Sequence, residues 1–120
     1  MVKRILIIED EKGISEPVKT RLEYEGYEVI NAYDGLDGLD KAIKIKPDLV
    51  LLDLFMPVID GYEVCKKLKE ADGLKDMPII FFSAECGDIK EAKDAGAVDS
   101  ITKPFNLMEL VDKINFYIKK

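Results

Sequence analysis

The chain contains no histidine, no tryptophan and no glutamine, and only two cysteines. Without histidine it cannot by itself be a phosphohistidine carrier, a Ser-His hydrolase or a His-ligated metalloprotein. Any phosphohistidine in its chemistry must come from another protein. Cys65 and Cys86 have no metal-ligand spacing, and two cysteines in a domain of this size fit a reduced, cytoplasmic protein better than a disulfide framework. Positive charge is in deficit too: 18 basic residues stand against 24 acidic ones, a net charge of −6. Binding to phosphate backbones needs a basic stripe, so no nucleic-acid partner is expected for this domain. Long apolar runs are also lacking. The run after Met1-Val2-Lys3-Arg4 breaks at Glu9-Asp10-Glu11 before signal-peptide length, and no membrane association is expected.

What is present is a regular alternation. Short apolar runs near 4–8, 28–32, 49–53, 78–83 and 100–102 alternate with segments of helical period, the pattern of βα units around a parallel sheet. The runs Ile5 to Ile8, Leu49 to Leu52 and Ile79 to Phe82 are continuously apolar, as strands covered on both faces should be, whereas Glu28 and Asn31 mark the second strand as an edge. Asp60 with Glu63, Asp88 with Glu91, and Asn106 with Glu109 have the spacing of capping boxes at helix starts. Gly26 closes the first helix and Pro47 follows the second. Leu107, Leu110, Val111, Ile114 and Ile118 make an apolar face that docks the last helix. The fourth helix, between Gly87 and Gly96, has only Ile89, Ala92 and Ala95 to bury and is expected to be the least anchored. Its 120 residues make one domain, 1–120, with no room for an output module.

Charges sit where these runs end. Glu9 and Asp10 follow the first, Asp53 the third, Ser83 the fourth and Lys103 the fifth. In an open α/β sheet the ligand crevice lies at the carboxyl ends of the strands. Three carboxylates gathered there repel by about 4 kcal/mol per pair at ~4 Å and an effective dielectric of ~20, so a cation should join them. Mg²⁺ is the natural candidate, with Mn²⁺ as an alternative. The set suits phosphoryl transfer to an aspartate: Asp53 as nucleophile, Asp10 and Glu9 holding the metal directly or through water, Ser83 and Lys103 binding the phosphoryl oxygens. Singly, each residue has a plainer explanation. An aspartate at a strand end is often a helix cap, and a lysine or serine there is commonly a solvated or hydrogen-bonding group.

Glu9-Asp10, Asp53 with Met56-Pro57, Asp60-Gly61, Ser83-Ala84, Ala95-Gly96-Ala97 and Lys103-Pro104-Phe105 together resemble the motifs of response-regulator receiver domains, in register along the whole chain. The resemblance implies a flavodoxin-like, doubly wound (βα)5 fold with a five-stranded parallel sheet in the order 2-1-3-4-5. It implies a phosphorelay switch, not an enzyme beyond assisting its own phosphorylation and dephosphorylation. Asp53 would accept a phosphoryl group from a sensor histidine kinase or phosphotransfer protein. Mg²⁺ would be held by Asp10, Asp53 and the backbone carbonyl of Phe55. Ser83, the backbone of Ala84 and Lys103 would bind phosphate, the peptide before Pro104 would be cis, and a downstream protein would read the fourth helix, fifth strand and fifth helix. A monomer that can dimerise when phosphorylated is expected. The kinase is expected to approach across Ile14, Pro17 and Phe105.

Two rival readings are an interaction module acting without phosphorylation and an aspartyl-phosphate phosphatase. The first leaves the acid, hydroxyl and lysine set without a purpose, and the second lacks an Asp-x-Asp pair after its first strand. A flavin or nucleotide binder would need a glycine- or hydroxyl-rich loop where Glu9-Asp10-Glu11 stands. One departure from the receiver pattern is notable: three residues before Lys103, where receivers usually carry an aromatic ring, this chain has Ser100. A smaller conformational change, confined to the loop after Ser83 and the fourth helix, is the expectation.

Overall fold

The computed structural model describes residues 2–84 and 89–118, with the side chain of Ile89 excepted. Asp88, Cys86, Gly87 and the loop proposed to respond at 85–88 lie outside the described residues. Five strands, β1 (Arg4–Ile8), β2 (Glu28–Ala32), β3 (Leu49–Leu52), β4 (Ile79–Ser83) and β5 (Asp99–Thr102), alternate with five helices, α1 (Lys12–Tyr24), α2 (Gly35–Ile45), α3 (Gly61–Glu70), α4 (Ile89–Asp94) and α5 (Leu107–Tyr117). The sheet is parallel throughout and ordered β2-β1-β3-β4-β5.

Period-two alternation splits the core between the sheet's faces. Leu6, Ile8, Val50, Leu52, Ile79 and Phe81 pack on one side with Ala42 of α2, Val64 and Leu68 of α3, and Ala92 of α4. Ile5, Ile7, Leu49, Leu51, Ile80 and Phe82 pack on the other with Val18 and Leu22 of α1 and Leu110, Val111 and Ile114 of α5. The central strands are therefore apolar at every position, because neither face meets water.

Helix ends follow local chemistry. The carboxylates of Asp34 and Asp60 accept from the N–H groups of Asp37 and Glu63, capping α2 and α3. Asn106 caps α5 by accepting from Met108, one residue earlier than capping-box geometry expects. Gly26, at φ 101°, ends α1 in the left-handed conformation that favours glycine. The five-residue apolar face of α5 is present, with Leu107 half-buried. In α4 only Ala92 is fully buried among the described side chains, and Lys90, Glu91, Lys93 and Asp94 face solvent.

Among the described residues, two that are not glycine have positive φ: Lys46, at 51° after α2, and Val58, in the turn after β3. Val58 lies at φ 75°, and the Ile59 N–H donates to the Pro57 carbonyl at 2.9 Å, closing a three-residue γ-turn about it. A β-branched residue there costs about 1–3 kcal/mol relative to relaxed backbone.

Candidate functional site

β1 and β3 lie side by side, and the register Ile8↔Leu52 brings the residues that follow them to the same edge. The Asp53 N–H donates to the Ile8 carbonyl at 3.0 Å, and the Glu9 N–H to the Ala32 carbonyl at 3.1 Å, so both acids are fixed by the ladder itself. One carboxylate oxygen from each of Glu9, Asp10 and Asp53 lies within 4.8 Å of the other two. Glu9 and Asp53 are buried, while Asp10 reaches the surface.

Lys103 crosses to this cluster from the end of β5. Its N–H donates to the Ser83 carbonyl at 2.8 Å, which ties the ends of β4 and β5 together. Its ammonium donates to Glu9 Oε1 at 2.5 Å and stands 3.7 Å from Asp53 Oδ2, with the Phe82 ring 4.9 Å away on its flank. Glu9 Oε2 accepts the Glu11 N–H at 3.1 Å. Both oxygens of Glu9 are thus engaged. Burial pushes the Glu9 pKa up to about 7, against the Lys103 and Glu11 hydrogen bonds, which pull it down.

Asp53 is differently placed. Its Oδ1 accepts the Phe55 N–H at 3.2 Å, while Oδ2 faces the ammonium at a longer distance than Glu9 does. Gly61 makes this position possible: a Cβ there would lie 2.5 Å from the Asp53 carbonyl oxygen, so only glycine lets α3 start directly against the Asp53 backbone. Its N–H also donates to the Leu54 carbonyl at 2.8 Å. The Asp60-Gly61 pair therefore caps the helix and seats it on the site.

Ser83 ends β4 with its side chain buried, and Ala84 beside it is exposed. The Lys103–Pro104 peptide is cis. Next to the site, Ile14, Pro17 and Val18 of α1 face Ala84, Lys103, Pro104, Phe105 and Leu107 across an apolar groove of about 500 Å³. Ser100 is half-buried and pairs with Phe81, whose ring meets Tyr62 edge-on at 5.5 Å.

The donor set fits a hard divalent cation. All three side chains offer carboxylate oxygen, and with the ammonium counted, three acids and one base leave two negative charges when all are ionised. Among the described residues no backbone N–H donates to the Phe55 carbonyl. Glu9, with both oxygens already hydrogen-bonded, is suited to hold such an ion through water; Asp10 and Asp53 are better placed to ligate directly. Spacing along the sequence brought Lys103 to this edge. It did not reveal that the lysine is held by Glu9 first and by Asp53 second.

The parallel doubly wound sheet thus gathers an acid cluster, a buried hydroxyl and a lysine at its carboxyl edge. The response regulator receiver domain family matches residues 5–115, and the chain belongs to that family. It is 37% identical over 119 residues to the DNA-binding dual master transcriptional regulator RpaA of Synechocystis, covering 98% of this chain and 49% of that protein. The chain thus spans about half the length of this curated relative. Among solved structures, the Vibrio cholerae chemotaxis protein CheY4 superposes with a TM-score of 0.92 at 31% identity, over 98% of this chain and 100% of that one. The Thermotoga maritima response regulator TrrA, solved with Mg²⁺-BeF, has a TM-score of 0.88 at 35% identity, over 98% and 100% of the two chains. The chain is a two-component receiver, a signalling domain and not a conventional enzyme, and TrrA is a similar protein solved with Mg²⁺. No helix of the described residues is long and apolar enough to cross a membrane.

Proposed function

We propose that Asp53 accepts a phosphoryl group from a histidine kinase or phosphotransfer protein and that the rest of the site serves that transfer. The observation that carries this reading is the pair of unlike carboxylates held side by side: Glu9 hydrogen-bonded through both oxygens, Asp53 with Oδ2 left 3.7 Å from the ammonium. Of the two buried acids, Asp53 is the one with an oxygen available to attack.

In the transfer, an Asp53 oxygen forms a bond to phosphorus as the P–N bond of the donor phosphohistidine breaks, its electron pair returning to the imidazole. Lys103 shifts part of its hydrogen bonding from Glu9 to the incoming phosphoryl oxygens, and Ser83 and the Ala84 N–H bind another. A Mg²⁺ held by Asp10, Asp53 and the Phe55 carbonyl would supply charge neutralisation of those oxygens. The chain's own acids cannot do this, since they would repel the phosphate. The acyl phosphate hydrolyses, returning the switch to its resting state. The apolar groove of Ile14, Pro17 and Phe105 lies beside Lys103 and is suited to receive the kinase.

The domain is read as a single receiver whose output lies in a partner or in sequence beyond it, working in the cytoplasm, with a downstream target reading α4, β5 and α5 and with dimerisation following phosphorylation. The test is incubation with acetyl phosphate and Mg²⁺ followed by intact mass. One phosphoryl adduct is expected, absent in Asp53→Asn and absent when the metal is chelated. Undiminished labelling of the Asn variant refutes the assignment.

A further inference from the structure

A second apolar feature lies on the opposite face of the sheet from the Ile14/Phe105 groove, where the turn after β3 meets the start of α2. Asp34, Gly35, Leu36, Pro57, Val58 and Ile59 enclose a notch of about 270 Å³, room for one apolar side chain. Gly35 holds its two walls together. A Cβ at that position would stand 2.5 Å from Ile59 Cγ2, so the turn is clasped directly onto the helix. The rim is apolar and uncovered: Leu36 is 58% exposed and Val58 93%.

Val58 is the informative residue. Its φ of 75° is a conformation that glycine or asparagine adopts readily and a branched side chain does not. Either would hold this turn with less strain. Here an almost wholly exposed isopropyl group is displayed in spite of the strain, which directs attention to what it touches outside the chain.

The charges around the notch indicate the partner's sign. Asp34 lines it and Asp60 follows its wall residue Ile59; each caps a helix, with Asp37 and Glu63 in the first turns of those helices. Lys41, the nearest cation on α2, is held by Asp37 and by the Asn31 carbonyl. Asp34, Asp60 and Glu63 have no ion-pair partner among the described residues. Such a rim repels anionic lipid and acidic segments and attracts basic ones.

We infer that this notch is a docking site for a basic segment of a partner protein, which inserts one aliphatic side chain between Leu36 and Val58 while flanking lysines or arginines face Asp34, Asp60 and Glu63. Because the notch and the Ile14/Phe105 groove lie on different faces of the sheet, such a partner can bind while the groove is occupied.

The test is an NMR titration of isotope-labelled protein with three short synthetic peptides: a lysine-rich one with a central leucine, the same peptide with serine in its place, and a glutamate-rich one with leucine. The lysine–leucine peptide should shift Leu36, Val58 and Ile59 and bind about tenfold more tightly than the serine version, with affinity falling as salt rises. Val58→Gly, and separately Val58→Asn, should melt no lower than the wild type, label normally with acetyl phosphate, and lose that tenfold preference. Normal labelling separates failure here from failure of the Asp53 assignment. Equal binding of the serine or glutamate peptide, shifts confined to the Ile14/Phe105 groove, or undiminished leucine preference in both Val58 variants overturns the proposal.

Discussion

The two halves of the site are built on different foundations. Glu9 and Asp53 follow β1 and β3, strands from the middle of the sheet; β3 is buried at each of its four residues. Lys103 follows β5, an edge strand in which only Ile101 is buried. Beside β5 lies α4, six residues with one fully buried side chain among those described. Charge is thus placed by the rigid half, and the group that answers it is carried by the half with least apolar burial and least to lose by moving. The Lys103 ammonium at 2.5 Å from Glu9 joins them. On the proposed reading, a phosphoryl group on Asp53 would offer that ammonium new partners, and the expected response lies in the loop after Ser83 and in α4.

The sharpest way to probe the rigid half is through pH. Glu9 has a folded pKa of about 7, above its ordinary 4.5. The folded state therefore holds this proton more tightly than the unfolded chain, and stability from this group is fully present below pH 4.5 and lost as pH rises to about 7. The loss is of the order of 3 kcal/mol at most. Chemical denaturation of wild type and Glu9→Gln should show their stability difference shifting toward the variant by about that amount between those pH values. A difference that stays constant with pH would mean that Glu9 is not buried as an acid.

Next comes the link itself. Lys103→Ala leaves Glu9 buried without its cation. Removing one partner of a fully buried pair costs about 3–5 kcal/mol, and with the lysine side chain 16% exposed a loss of roughly 2 kcal/mol at pH 8 is reasonable. At pH 5, where Glu9 carries a proton, the loss should shrink. The variant should still take some phosphate from acetyl phosphate, since Asp53 remains, yet fail to transmit the change to a partner. Normal partner binding by phosphorylated Lys103→Ala would show that the two halves communicate by another route.

A smaller effect belongs to the metal. Mg²⁺ at ten times its Kd should stabilise the wild type by about 1.4 kcal/mol through preferential binding to the folded state, read as a rise in Tm. Asp10→Ala, which removes the most accessible oxygen donor, should reduce that gain. Equal gains in the two proteins would remove Asp10 from the metal site.

Much of this division could be read from the residues alone. Continuous apolar runs at Ile5 to Ile8 and Leu49 to Leu52 identified buried parallel strands, since only strands covered on both faces have no polar alternate, and acids directly after them had to share an edge. Two features could not be read. Nothing in Pro57-Val58-Ile59 signals a left-handed backbone, because the usual markers, glycine or asparagine, are absent, and the close packing of Ile59 against Gly35 is a contact between residues distant in sequence. The preference of Lys103 for Glu9 over Asp53 was likewise hidden. It depends on side-chain reach across the sheet, which spacing along a chain does not encode.

The smallest expected effect concerns Ser100, on the mobile side of the comparison. Parallel register sets Ser100 beside Phe81, and neighbouring residues in register face the same side, so a ring at position 100 would lie in the layer where Phe81 already meets Tyr62 edge-on. Phe81 is fully buried, and Ser100, with its N–H donating to Asp99 Oδ1 at 2.8 Å, has no ring to move. Transferring an aromatic ring between water and protein moves 150–250 Å² of surface, a lever of a few kcal/mol on a two-state equilibrium that this chain lacks. Hydrogen exchange with and without beryllofluoride should therefore place the protection changes between Ser83 and Ala95, with little at Ser100. Ser100→Tyr should enlarge the difference between the two states, since the added ring can be buried in one and exposed in the other. If the variant exchanges as the wild type does in both states, the absence of a ring does not limit the switch, and the coupling runs through Lys103 and the Ser83 carbonyl alone.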